Sequence, residues 1–270
     1  MELTYPQKSN GLYVLSRMAI EQIATDVLKE YAPQNLEHPL PLDTRDMMEN
    51  YLGLIVKHAY IGSFNSGILG LIVMSDTAEI PSLDEMFKPM ILQECFGTVL
   101  ISKTLLGNEN LPRKRYTEMH EASHFLLHQP YYTHRAQAAA HRESRQPGYV
   151  ACRAMETDHW KEQKTETEWL EYQADTLAAA LLMPYRIFID YARSAIRKAG
   201  IRCGYLTASP YTNTFQARNA IADISEAFQV SGRAVQIRLK HTGLIQDVSA
   251  AYSCTCLLYT SPSPRDMRRS

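Results

Sequence analysis

The chain has 270 residues, 45% of them hydrophobic, and a formal net charge of -1 at pH 7. That length is enough to bury a substantial core, and the balanced charge excludes the strongly basic field of a general nucleic-acid or anionic-membrane binder. Cys95, Cys152, Cys203, Cys254 and Cys256 are odd in number, scattered and without a Cys-x-x-Cys pair, so reduced, mostly buried thiols are expected rather than a disulfide framework or zinc knot.

The first thirteen residues are polar and lack the basic start, apolar segment and cleavage site of a secretory signal. The longest apolar run, 68–74, is too short to cross a bilayer as a helix. A cytoplasmic protein with no membrane partner is the expectation. Ile20, Ile23, Ala24, Val27, Leu28 and Tyr31 recur at helical spacing, which predicts an amphipathic helix closed before Pro33. Asp43 is placed to cap a short helix carrying Met47, Met48, Tyr51 and Leu52, with Gly53 as its stop and the methionines as core filler.

Residues 54–59, 68–74 and 98–102 are short runs rich in β-branched residues, separated by turn-forming residues, and predict a small sheet. A helix then follows from near Pro112 and is expected to end at Pro130. Residues 129–165 are polar, aromatic and weakly periodic, with part of 136–145 compatible with helix. A stretch of that length reads as a surface insertion or a substrate-gating loop. Leu170, Ala174, Leu177, Ala178 and Leu181 form one helical stripe ended by Met183 and Pro184, and 186–198 forms the next helix. Residues 200–215 read as a linker before two short helices over 217–228 and 232–241, with Ser231 as a cap and Gly243 as a stop. The order of strands and helices predicts an α+β fold with a mostly helical C-terminal part.

Within the central helix, His120-Glu121-Ala122-Ser123-His124 places two imidazoles four residues apart on one face, close enough to chelate one ion. Glu121 stands beside them as a general base. A catalytic zinc needs a third protein ligand, and Glu171 on the downstream helix can supply the carboxylate of the two-histidine, one-carboxylate set, with Glu168 as the runner-up because no acidic residue follows it four positions on. Asp175 falls one turn later on the same face, where it can accept the Nδ1 proton of a ligating histidine. Ala174 and Ala178 permit close approach of the two helices. His128 continues the histidine stripe but cannot converge on the same ion, and is assigned to the helix C-terminus. His134, His141 and His159 are taken as surface residues. The expected ion is Zn2+, with Mn2+ or Fe2+ able to use the same ligands.

Three blocks, 115–128, 171–184 and 228–239, resemble the ImmA/IrrE family of metallopeptidases. The resemblance implies a zincin-like core in which a small sheet packs on the HExxH helix, with His120, His124 and Glu171 as metal ligands and Glu121 as the catalytic base. It also implies a protein substrate, in particular a helix-turn-helix transcriptional repressor cleaved in a stress response or in mobile-element control. Ala122-Ser123 departs from the Gly that many relatives carry before the second histidine, and the 129–165 excursion is longer than in minimal members. The expected organisation is a peptidase domain over 1–200, a helix-turn-helix-like region over 201–255 and a non-biological tail over 256–270, which resembles translated sequencing adapter. The alternative function is a metal-dependent sensor or DNA-binding regulator without peptidase activity. Direct nucleic-acid binding is not expected, because Arg218, Arg233, Arg238 and Lys240 are offset by Asp223 and Glu226.

Overall fold

A computed structural model describes residues 3–63, 66–140, 148–153, 165–207 and 214–246, and the fold is mixed α+β, compatible with a zincin-like fold. Contacts along the chain divide it into two compact units, Met1–Ile187 with Ala227–Ser231, and Phe188–Glu226 with Gly232–Ser270. None of the described helices is long and apolar enough to cross a membrane.

In the first unit, α1 (Arg17–Tyr31) starts where the Ser16 side chain accepts from the Ala19 N–H, and it buries Ile20, Ile23, Ala24, Val27 and Leu28. A short helix α2 (Thr44–Asp46) is capped by Asp43 and runs into a π-helical turn, Met47–Tyr51, whose two methionines are fully buried. The Thr44 hydroxyl donates to Glu118 Oε2 at 2.6 Å, which ties this turn to the central helix.

The three strands expected from sequence are present as β1 (Ile55–Ile61), β2 (Ile68–Val73) and β5 (Thr98–Ser102). Three more join them: β3 (Thr77–Leu83), β4 (Pro89–Cys95) and β6 (Tyr149–Arg153). The sheet order is β4-β3-β1-β5-β2-β6, with only β1 and β5 parallel among these pairs. One face buries Ala59, Ile61, Leu71, Val73, Ala78, Ile80 and Leu100. Side chains alternate along a strand, so Gly70 on β2 faces the other way, toward the central helix.

That helix, α3 (Leu111–Ala140), does not end at Pro130 but continues ten residues past it. Proline removes one main-chain hydrogen bond, and packing outweighs the loss: Tyr131 is buried in a cluster with Leu12 and Leu170, flanked by Tyr132 and Trp169. Within the region expected to be one long excursion, the described residues form helix to Ala140 and an edge strand at β6. His141, His159 and the tail 256–270 lie outside the described residues. Packed on α3 is α4 (Glu166–Leu182), which opens with a reciprocal capping box between Thr165 and Glu168.

The second unit contains most of α5 (Tyr185–Lys198), then α6 (Phe215–Phe228) and α7 (Gly232–His241). The segment expected to be a plain linker carries β7 (Leu206–Thr207), which pairs in parallel with β8 (Ile245–Gln246). Inside this unit the Arg238 guanidinium lies 5.8 Å from the Phe188 ring centroid. Arg238 is buried there, so it does not belong to an exposed basic face. The expectation of mostly buried thiols does not hold for Cys95 and Cys203, which are free and exposed. Cys95 ends the edge strand β4, and Cys203 sits in the turn after α5, positions with no second layer to cover them.

Gly11 shows how tightly the N-terminal segment is laid on α3. Its φ is +81°, and a Cβ added there would fall 2.7 Å from the Pro130 carbonyl oxygen and 2.6 Å from His134 Cδ2. Gly11→Ala is expected to destabilise the protein by about 2–4 kcal/mol, combining left-handed backbone strain with overpacking. Urea denaturation of the two proteins measures the difference.

Candidate metal centre

The sequence pattern predicts that α3 and α4 carry the chemistry, and these two helices meet at His120, His124 and Glu171. Ala174 and Ala178 are fully buried small residues that keep side-chain bulk between the helices low. His120 Nε2 and His124 Nε2 are 3.0 Å apart. Glu171 Oε2 is 3.2 Å from His120 Nε2, and Glu171 Oε1 is 3.5 Å from His124 Nε2. Among the described residues, these three form a group that could hold a metal ion.

The donor set fits such an ion in both chemistry and spacing. Asp175 Oδ1 lies 2.9 Å from His120 Nδ1. A carboxylate can only accept, so the His120 proton sits on Nδ1 and its Nε2 presents a lone pair to the centre. Ligand atoms placed tetrahedrally at zinc–nitrogen and zinc–oxygen bond lengths are separated by roughly 3.3 Å, close to the three observed edges. The Tyr116 hydroxyl lies 3.2 Å from the same Asp175 oxygen and helps hold that carboxylate in place.

Electrostatics favour the metal-binding protonation states. Burial pushes the Glu171 carboxyl up, but the facing imidazoles of His120 and His124, when they carry protons, pull it down further, well below the usual carboxylate range. Burial holds the His124 and His128 imidazoles below their ordinary value, His128 well below, which favours neutral rings.

Glu121 is fully buried on the side of α3 that faces β2. It is positioned by Gly70: a Cβ added at that glycine would lie 2.9 Å from Glu121 Oε1 and 2.6 Å from Thr117 Cγ2. The main chain of β2 therefore runs directly over the glutamate, and a side chain at position 70 would displace it. Gly70 also sits where the β2–β6 register shifts, a local irregularity of the kind found beside functional sites.

His128 is not the helix-terminal residue expected from sequence. Because α3 continues past Pro130, His128 is interior and fully buried, with its Nδ1 2.9 Å from His124 Nδ1. Its Nε2 is 3.1 Å from Gln173 Oε1, and Gln173 Nε2 donates to the Tyr13 carbonyl at 2.8 Å. Sequence reasoning missed Gln173, Tyr116, Tyr13 and Gly70. The spacing of four between His124 and His128 carried the only signal, since residues four apart on a helix are neighbours. His134, by contrast, is exposed as expected.

Residues 156–240 match the family model described as Peptidase_M78, the IrrE N-terminal-like domain, which supports membership of the ImmA/IrrE family. The matched region contains Glu171 and Asp175 but not the His120–His124 motif, so the match and the motif are separate observations that meet at the same centre. The family supports a metallopeptidase-type function and implies a metal. No curated protein gives a significant match.

Removing the one carboxylate of the group is expected to weaken metal binding sharply. Glu171→Ala should reduce zinc affinity by more than the roughly 10–100-fold that loss of an outer partner costs, as measured by competition with a chromophoric chelator.

Proposed function

We propose that this chain, a member of the ImmA/IrrE family, is a zinc-dependent endopeptidase whose substrate is a helix-turn-helix transcriptional repressor. The reading is carried by the meeting of two imidazole nitrogens and a carboxylate within 4.8 Å of one another, with a buried glutamate in the same helical turn as the histidines. His120, His124 and Glu171 are the ligands in this reading, and Mn2+ or Fe2+ could use the same atoms. A closed structural zinc site takes four protein ligands, whereas a catalytic one takes three and leaves a position open; among the described residues the present group has three. That difference favours an enzyme over a metal-dependent sensor or DNA-binding regulator.

A bound zinc would supply a water with pKa lowered to about 7 and would polarise the scissile carbonyl. The chain's own residues do the rest. Glu121, buried beside the ligands, takes the proton of the attacking water and returns it to the leaving amine. Asp175 holds His120 in the orientation that keeps its Nε2 toward the centre. Gly70 gives Glu121 the room to stand where it does. An extended peptide can add to a sheet edge through main-chain hydrogen bonds, and β6, the edge strand next to β2, supports holding the cleaved segment there.

The test is to identify the neighbouring gene and, where it encodes a helix-turn-helix repressor, to incubate that repressor with the zinc-loaded protein, with Glu121→Gln as the control. Cleavage is expected from the unchanged protein, slowed about 10²–10⁴-fold in Glu121→Gln, with zinc content unaltered. A repressor left intact while other proteins are cut would remove the substrate assignment and keep the peptidase. Full activity in Glu121→Gln would remove Glu121 as the base.

Gly70→Ala provides a second check on the glutamate's position. Displacing a reacting group by about 1 Å costs on the order of 100-fold, and cleavage should fall by that order while zinc affinity stays near its original value. A parallel fall in zinc affinity would mean that Gly70 supports the ligands instead.

A further inference from the structure

We propose that His128 and Gln173, anchored by the main-chain carbonyl of Tyr13, are positioning residues that fix the His124 imidazole in the tautomer a metal requires. The proposal rests on His124 being a ligand, as in the reading above, and assigns roles to residues that the HExxH pattern does not include.

The direction of every hydrogen bond follows from the Tyr13 carbonyl, which can only accept. Gln173 Nε2 donates to it at 2.8 Å, so the amide oxygen is the end that faces His128 Nε2, at 3.1 Å. An amide oxygen accepts and does not donate, and His128 therefore carries a proton on Nε2. As a neutral ring it then presents a bare Nδ1. That atom lies 2.9 Å from His124 Nδ1, which must be the donor. His124 holds its single proton on Nδ1 and turns a lone pair on Nε2 toward His120 Nε2 and Glu171 Oε1.

The opposite tautomer fails at both ends of the ring once a metal is bound, and in the metal-free protein the assigned one leaves the Nε2 lone pairs of His120 and His124 facing each other at 3.0 Å, a contact that a cation relieves. A proton on His124 Nε2 would occupy the direction in which the ion must bind, and the facing Nδ1 atoms of His124 and His128 would be two acceptors at 2.9 Å. Water does not offer an escape, because His124, His128 and Gln173 are all 0% exposed. The two ligating histidines are thus oriented by different chemistry. A carboxylate, Asp175, holds His120, and a neutral imidazole backed by an amide holds His124.

The experiment compares His128→Leu and His128→Asn with the unchanged full-length protein, using zinc affinity by chelator competition and imidazole 15N spectra of the metal-free proteins. The Asn side-chain oxygen stands as many bonds from Cα as His Nδ1 does, so it can still accept from His124; Leu cannot. His128→Leu is expected to weaken zinc binding by about 10–100-fold and to move the His124 proton toward Nε2. His128→Asn should leave both close to the unchanged protein. A packing role predicts the reverse order, because leucine fills the buried space better than asparagine. Gln173→Met, which keeps the ring but removes its acceptor, should also weaken zinc binding and mix the His124 tautomers, and it serves if a His128 variant does not fold. The proposal is overturned if His128→Leu binds zinc as tightly as the unchanged protein, if Asn is no better than Leu, or if the unchanged metal-free protein carries the His124 proton on Nε2. Absence of zinc binding by the unchanged protein would defeat the metal reading alone, since the spectra still decide the tautomer.

Discussion

Two helices that are distant in sequence must pack closely enough for an imidazole of α3 to stand 3.2 Å from a carboxylate of α4, and the rest of the first unit serves that approach. The buried alanines 174 and 178 keep bulk out of the interface. The Thr165–Glu168 capping box starts α4 just ahead of Glu171 and satisfies main-chain donors that would otherwise compete for partners. Leu12, Tyr131 and Leu170 close one end of the helix pair with an apolar cluster. The sheet closes the other side, with Gly70 bringing the main chain of β2 down onto Glu121.

Burying so much polar surface is costly unless each group is partnered. His120, His124, His128 and Gln173 are at most 1% exposed, yet hydrogen bonds link them in two directions. One ends at Asp175 near solvent, and the other at a main-chain carbonyl of the N-terminal segment. The second explains why that segment is laid so firmly across α3, where the left-handed turn at Gly11 lets the chain pass against Pro130. A segment that is merely polar in sequence is thus tied into the surroundings of the centre.

Periodicity made the helices and the central strands legible, because the pattern of burial repeats at 3.6 or 2 residues wherever one face meets a core. It failed where that pattern is absent or overridden. The strands β3 and β4 pair mainly with each other at the edge of the sheet, and β4 is exposed along much of its length, so it has no continuous apolar face to announce it. Pro130 looked like a stop because local sterics favour one, and the aromatic packing that carries α3 through it comes from residues far away in sequence. At the centre, His120, Glu121 and His124 stood out because the two histidines lie four residues apart on one helix, and Glu171 because a two-histidine set calls for a carboxylate. Asp175 was legible from its spacing, one turn after Glu171. Gln173, Tyr13 and Gly70 were not, since their roles arise from packing between elements and leave no spacing rule in the chain.

The contrast between the outer partners of the two histidines follows from where each lies. Asp175 has a side chain 45% exposed, so water shares the solvation of its charge. His124 faces inward, where His128 and Gln173 are fully buried. A second carboxylate there would add buried negative charge to a centre that already holds Glu121 and Glu171. A neutral histidine backed by a neutral amide orients the ring without adding charge. The two arrangements accomplish the same task under different dielectric conditions, and the exposed position is the one that carries the anion.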